Sequence, residues 1–249
     1  MPNSQALIHI FVDHSNMWGS ARLASRIRTP TLSNDHARVN VSVLDHLLGG
    51  TGAGIVSKIV SGGVPPGMEG LWLQYQANHY DTQRLFRDEH WKERGVDHTI
   101  IGHMWRIACK HVPDKGEARI VLASGDGHRN EFGTSFLEVV EEILLHERYA
   151  GLKVKLASFD WQYSAATPHR SPTNQRLKQI VEKSDRGEFV NLMQHYDKLV
   201  YHEKETVGNL SSPALPAGAP PAAKVAPAKP ATPSRRTSGA RRAPQYGRR

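Results

Sequence analysis

The run Ala6-Leu7-Ile8-His9-Ile10-Phe11-Val12-Asp13 decides the fold. A mostly apolar stretch that ends on a carboxylate predicts a strand covered on both faces, as in a parallel sheet, with Asp13 at its carboxyl end. Ala118-Arg119-Ile120-Val121-Leu122-Ala123 repeats the pattern and feeds straight into Ser124-Gly125-Asp126-Gly127-His128. Ile55 to Val60, Tyr80 to Phe86 and Leu152 to Phe159 read as further strands. Helical spacing fills the gaps: Met17 to Arg26, Asn34 to Leu48, Met68 to Ala77, Val96 to Lys110, and a helix burying Phe136, Leu137, Val140, Ile143 and Leu144. Ser33 or Asn34 is the expected cap of the second helix and Gly49-Gly50 its stop. Strands alternating with helices imply an α/β fold of three layers, a mainly parallel central sheet with helices on both faces. Beyond Trp161, a helix is expected to start at Ser171-Pro172-Thr173 and carry Leu177, Ile180 and Val181, and Phe189 to Tyr196 shows another helical stripe.

Charge separates a body from a tail. The chain of 249 residues carries 32 Lys and Arg against 24 Asp and Glu. Eight of the basic residues (Lys224, Lys229, Arg235, Arg236, Arg241, Arg242, Arg248, Arg249) and none of the acidic ones fall in 207–249, so residues 1–206 balance at 24 of each sign. From Ser211 onward prolines and alanines alternate, and such a segment cannot bury enough surface to order itself. The expected organisation is a domain over 1–206 and a disordered basic tail over 207–249 that contacts nucleic-acid phosphates. No apolar run reaches the roughly 18 residues of a membrane span, and Met1 to Ala6 lacks the basic start of a secretory signal, so a cytoplasmic protein without membrane contact is expected. Cys109 is the sole cysteine; it forms no internal disulfide and reads as a small buried hydrophobe.

Ligands of such sheets lie beyond the carboxyl ends of the strands. Asp13 and Asp126 fall there, and Asp97 opens a helix in the same layout. Clustered carboxylates repel one another and call for a proton or a cation. Magnesium or manganese answers that need with oxygen ligands and retained waters, and its usual work is phosphodiester chemistry by metal-activated water. Each aspartate taken singly also reads as a helix cap or a turn residue.

Four stretches resemble the NYN domain, the LabA-like branch of the PIN-like ribonuclease superfamily. They are Phe11-Val12-Asp13-His14-Ser15-Asn16, Lys92-Glu93-Arg94-Gly95-Val96-Asp97, Val121-Leu122-Ala123-Ser124-Gly125-Asp126-Gly127 and Val154-Lys155-Leu156-Ala157, together spanning roughly residues 6–200. The resemblance implies a PIN-like fold and a metal-dependent endoribonuclease acting on RNA. Asp13, Asp97 and Asp126 match its acidic metal-binding positions, and Asn16 matches the polar residue that orients the site. Ser15, Asn16, Trp18 and Ser124 are then the expected substrate contacts. Three positions depart from the family. His103 and His128 stand where it commonly has further aspartates, and His14 stands where it has a small residue. The two first-named histidines become candidate metal ligands, which opens the site to a transition ion, and Glu131 is a candidate to restore one negative charge. The alternative reading is a catalytically weak or inactive RNA-binding module; a different metal-dependent phosphate-ester hydrolase is a third. A homodimer stays open. Trp72, Trp91, Trp105 and Trp161 read as packing residues, and His169-Arg170 as a solvated loop.

Overall fold

The computed structural model describes residues 6–63, 69–85, 95–110, 117–159 and 172–203. Its centre is a six-stranded sheet in the order β4-β3-β1-β5-β6-β7, in which every pairing is parallel. The strands are β1 (Leu7–Asp13), β3 (Ile55–Gly63), β4 (Asp81–Leu85), β5 (Ala118–Ala123), β6 (Leu152–Ser158) and β7 (Gly187–Asn191). A short antiparallel pair, β2 (Ala37–Val39) with β8 (Val200–His202), stands apart.

The chain grows from β1 outward to β4 in one direction, then returns to β5 and grows to β7 in the other. Crossovers of one hand must then put the two sets of helices on opposite faces. Ile10, Val12, Val60, Val121 and Ala123 form one core layer with residues of α1 (His14–Arg28), α2 (Val41–Leu48), α3 (Glu69–Ala77) and α7 (Tyr196–Leu199). Phe11, Ile59, Ile120, Leu122, Val154 and Leu156 form the other with α4 (Val96–Lys110), α5 (Phe136–Leu145) and α6 (Pro172–Lys183). The near-continuous apolarity of β1 and β5 follows from this: successive side chains enter different cores, and both are dry.

Two elements differ from the sequence expectation. The second helix starts at Val41 rather than Asn34, because Asn40 caps it by accepting the Val43 N–H at 3.2 Å. The residues before it pair instead, with Ala37–Val39 against Val200–His202. Its end is as expected: Gly49 takes φ 85°, a left-handed cap that glycine adopts without strain. The stripe from Phe189 to Tyr196 is no single helix. Gly187–Asn191 is the sixth strand of the sheet, followed by a 3-10 turn over Leu192–His195 and then α7. Gly187, which pairs with Val154 of β6, packs so close to α6 that a Cβ there would lie 1.9 Å from the Val181 carbonyl oxygen.

Among the described residues no helix is long and apolar enough to cross a membrane. The tail from 207, Trp91, Trp161 and His169-Arg170 lie outside the described residues. Trp72 is fully buried and Trp105 half-buried against the Tyr149 ring, so both pack as expected. Cys109 is exposed, contrary to expectation, because the apolar stripe of α4 closes at Ala108 and the next position turns outward.

Candidate functional site

Strand order reverses beside β1, so a crevice opens over the carboxyl ends of β1 and β5. Val12 pairs with Ala123, which sets Asp13 level with Ser124 at that edge. Asp13 caps α1: its Oδ1 accepts the Asn16 N–H at 3.0 Å, and its Oδ2 accepts the Ser124 hydroxyl at 3.0 Å. The Ser124 oxygen in turn accepts the Asp126 N–H at 3.2 Å. Asn16 ties the same edge together, its Oδ1 accepting the Gly125 N–H at 2.9 Å. Ser15 Oγ accepts the Gly63 N–H at 3.3 Å from the end of β3. Three strand ends are thus locked by the short polar run Asp13-His14-Ser15-Asn16.

A cavity of about 210 Å³ sits on this lock, lined by Asp13, Ser15, Asn16, Gly95, Val96, Asp97, Asp126, Asn130 and Glu131. Asp97 reaches it from the first turn of α4 and Asp126 from the turn after β5. Four carboxylates therefore share one small space, and no basic side chain lines it among the described residues. The N-terminal ends of α1 and α4 both meet the cavity, and their partial positive charge offsets some of this repulsion. It does not offset all of it. Burial, then the Asp97 charge, push the Asp13 carboxyl well above the usual carboxylate range; Asp126 adds to this, while the Asn16 and Ser124 hydrogen bonds pull the other way. At 2% exposure Asp13 cannot relieve the conflict by reaching solvent.

The turn that carries Asp126 is rigid. A Cβ at Gly127 would lie 2.6 Å from the Thr173 carbonyl oxygen at the start of α6, so only glycine fits there. The Gly127 N–H is held by Asn174 Oδ1 at 2.8 Å, and Asp126 Oδ1 accepts the His128 N–H at 2.8 Å.

The other expected residues fall elsewhere. His103 lies six residues beyond Asp97, about 9 Å further along the helix at 1.5 Å per residue, and so away from the carboxyl edge. It lines a separate groove with Ser57, Ile59 and Arg106, its Nδ1 2.6 Å from Arg106 Nη2, and burial and that guanidinium lower its pKa. His128 is exposed and does not line the cavity; its Nδ1 is 3.4 Å from Thr173 Oγ1. Trp18 turns from the cavity to lie under Arg22, whose guanidinium carbon is 5.0 Å from the ring centre and which also pairs with Asp35. Ser124 is fully buried and holds Asp13 rather than facing the cavity. His14 enters the core against Trp72 and Tyr75, its Nδ1 3.3 Å from the Tyr75 hydroxyl, and burial lowers its pKa to about 4. Among the described residues no imidazole lines the cavity, so none of the expected histidines supplies it a nitrogen donor. Glu131 does restore a carboxylate: it lines the cavity, and its Oε1 accepts the Gly95 N–H at 2.9 Å. Asn130 is a lining residue that the sequence does not announce. Its signal, an asparagine shortly before a glycine turn, is shared by many loops with no site.

Among the described lining residues the charged donors are carboxylate oxygens, which suit a hard divalent cation better than zinc or copper. Among the described residues no three His, Cys, Asp or Glu side chains come close enough together to form a ready-made metal cage. Few direct protein ligands with waters between ion and carboxylates is the manner of magnesium.

No family model matches the chain, and no curated protein matches it. A solved structure of a protein of unknown function from Vibrio parahaemolyticus RIMD 2210633 is similar over 77% of this chain and 96% of that one, at 17% identity and a TM-score of 0.49. So distant a likeness adds nothing to the reading of the cavity.

Proposed function

We propose that this chain is a metal-dependent ribonuclease of the NYN and PIN-like kind, hydrolysing RNA phosphodiesters. The observation that carries the reading is Asp13, buried at the reversal of the sheet and sharing one cavity with Asp97, Asp126 and Glu131. So much negative charge in so small a space is stable only around a cation or bound protons. A dinucleotide site is disfavoured: the first strand-to-helix turn is Asp13-His14-Ser15-Asn16, without the glycines that let a pyrophosphate approach the helix. The volume of about 210 Å³ falls below that of ordinary drug-sized ligand pockets and suits a phosphate group with an ion.

Asp13 would hold magnesium or manganese, with Asp97 and Asp126 orienting its waters. Bound there, the ion would polarise the phosphate and lower the pKa of the attacking water. Asp126 and Glu131 line the same cavity, and either would accept the proton that water loses. Ser15 and Asn16 hold the floor by their bonds to Gly63 and Gly125. The second reading, an RNA-binding module that does not cut, is favoured by the lack of a ready-made metal cage among the described residues and by His103 and His128 at positions where aspartates were expected.

Labelled single-stranded RNA, incubated with the protein and magnesium or manganese, separates the two. The nuclease reading expects cleavage that Asp13→Asn reduces about a thousandfold or more, since metal polarisation supplies several kcal/mol. Binding without cleavage in either ion would hand the chain to the second reading.

A further inference from the structure

Phe132 is 56% exposed and directly follows the cavity residue Glu131. It is not held out by accident. Asn130 Oδ1 accepts the Phe132 N–H at 3.0 Å, the Thr134 N–H at 3.1 Å and the Thr134 hydroxyl at 3.1 Å. The loop is closed further by the Gly133 N–H on the Asn130 carbonyl at 3.0 Å and the Asn130 N–H on the Thr134 carbonyl at 2.8 Å. Gly133 takes φ 75°, a conformation glycine adopts freely. Glu131 then anchors this loop to the start of α4 through the Gly95 N–H. That set of bonds fixes the backbone that carries Phe132. Its ring meets His98, also exposed, with ring centres 4.7 Å apart and a tilt of 44°. Phe132 and His98 directly follow the lining residues Glu131 and Asp97 in the chain without lining the cavity themselves, and their ring contact joins the two segments that carry those carboxylates.

We propose that Phe132, backed by His98, is a stacking platform for an unpaired nucleobase of the strand whose phosphate enters the acidic cavity. The inference rests on the ribonuclease reading of that cavity and names its substrate as single-stranded RNA. The physical need is plain. Four carboxylates repel a polyanion, and no described basic side chain lines the cavity to compensate. Stacking on an aromatic face needs no charge, tolerates any base, and is closed to bases already paired in a duplex. A rigid loop makes it effective, because little freedom is lost when the base lands.

The test uses the full chain in the Asp13→Asn background, so that RNA stays intact, with 2-aminopurine scanned through a short single-stranded oligonucleotide. Quenching is expected at one position. Phe132→Ala should remove it and weaken binding about tenfold, the scale of one base–aromatic stack, while Phe132→Tyr retains both. An abasic nucleotide at that position should cost the Phe132 protein the same factor and the Phe132→Ala protein nothing. That comparison stands even if the alanine variant melts early, because Phe132→Tyr with the abasic strand carries it. Equal quenching by the Phe132 and Phe132→Ala proteins at unchanged melting temperature, or an equal abasic penalty in both, overturns the platform; so does failure to bind the strand at all. Cleavage of the same strand by the chain with Asp13 intact is scored separately. Quenching without cleavage upholds the platform and defeats the nuclease reading, whereas cleavage with a KM unchanged by Phe132→Ala defeats the platform alone.

Discussion

Among the described residues two aspartates are almost wholly buried, and they have opposite surroundings. Asp45 on α2 is 3% exposed and meets Lys58 Nζ at 3.0 Å and the Tyr80 hydroxyl at 2.8 Å. The Lys58 ammonium also donates to the Asn78 carbonyl at 3.1 Å, and burial together with Asp45 drives the Tyr80 phenol far up, so it remains a donor. Gly50 lies close by, where a Cβ would come within 1.9 Å of the Asp45 carboxylate. Asp13 is 2% exposed and meets two hydrogen-bond donors and three further carboxylates around a cavity. Burial of a charge is common to both. What differs is the sign of the neighbours: Asp45 is completed by a lysine of the chain, whereas Asp13 meets further carboxylates, which is why we propose a cation there.

The contrast breaks most visibly at Lys58. Lys58→Ala strands a buried carboxylate and should cost about 3–5 kcal/mol of stability by urea denaturation. The double variant Asp45→Asn, Lys58→Met should cost far less, because no charge is left unpaired. A loss below about 1 kcal/mol for Lys58→Ala would mean that Asp45 is not completed in this way.

The next largest effect belongs to His14, one residue from Asp13 and turned into the opposite environment. Its folded pKa is about 4 against an ordinary 6.5. The unfolded chain therefore takes up a proton first. Stability is full above about pH 6.5 and falls as pH drops toward 4, by about 3 kcal/mol at roughly 1.4 kcal/mol per tenfold change in proton affinity. His14→Leu should flatten that limb of the stability–pH curve; an unchanged limb would assign it to other groups.

Asp13 has the reverse sign. Its folded pKa is raised, so its charge destabilises the folded state above that pKa, and the penalty disappears as pH falls toward the ordinary carboxylate value. Asp13→Asn should therefore raise the melting temperature at neutral pH, by about 2–4 °C for each kcal/mol relieved. The same change at the paired site, Asp45→Asn, should lower it. A drop in melting temperature for both would erase the distinction between them.

The sequence shows one of these aspartates and hides the other for a physical reason. Asp13 ends an apolar run, and a strand read with the right period places its last residue at the sheet edge without further information. Asp126 is legible in the same way. Asp45 sits inside a helix between Leu44 and Leu47, and its partners Lys58 and Tyr80 come from β3 and the loop before β4; nothing local announces a pairing made across the fold. His103 shows the opposite failure. The resemblance to the NYN family makes it a candidate ligand, at a place where that family commonly has an aspartate, yet the rise of the helix carries it down toward the Arg106 groove. The strand at Gly187–Asn191 reads as helix because Phe189, Leu192 and Tyr196 fall at helical spacing, while its pairing with Val154–Ser158 of β6 is made across the fold and nothing local announces it.

Calorimetric titration of manganese into the parent chain, Asp13→Asn and Asp45→Asn tests the central contrast most directly. The parent and Asp45→Asn are expected to bind the ion alike, and Asp13→Asn to lose it. Equal binding by the parent and Asp13→Asn, or no binding by the folded parent, would contradict the claim that Asp13 is left for a cation to complete.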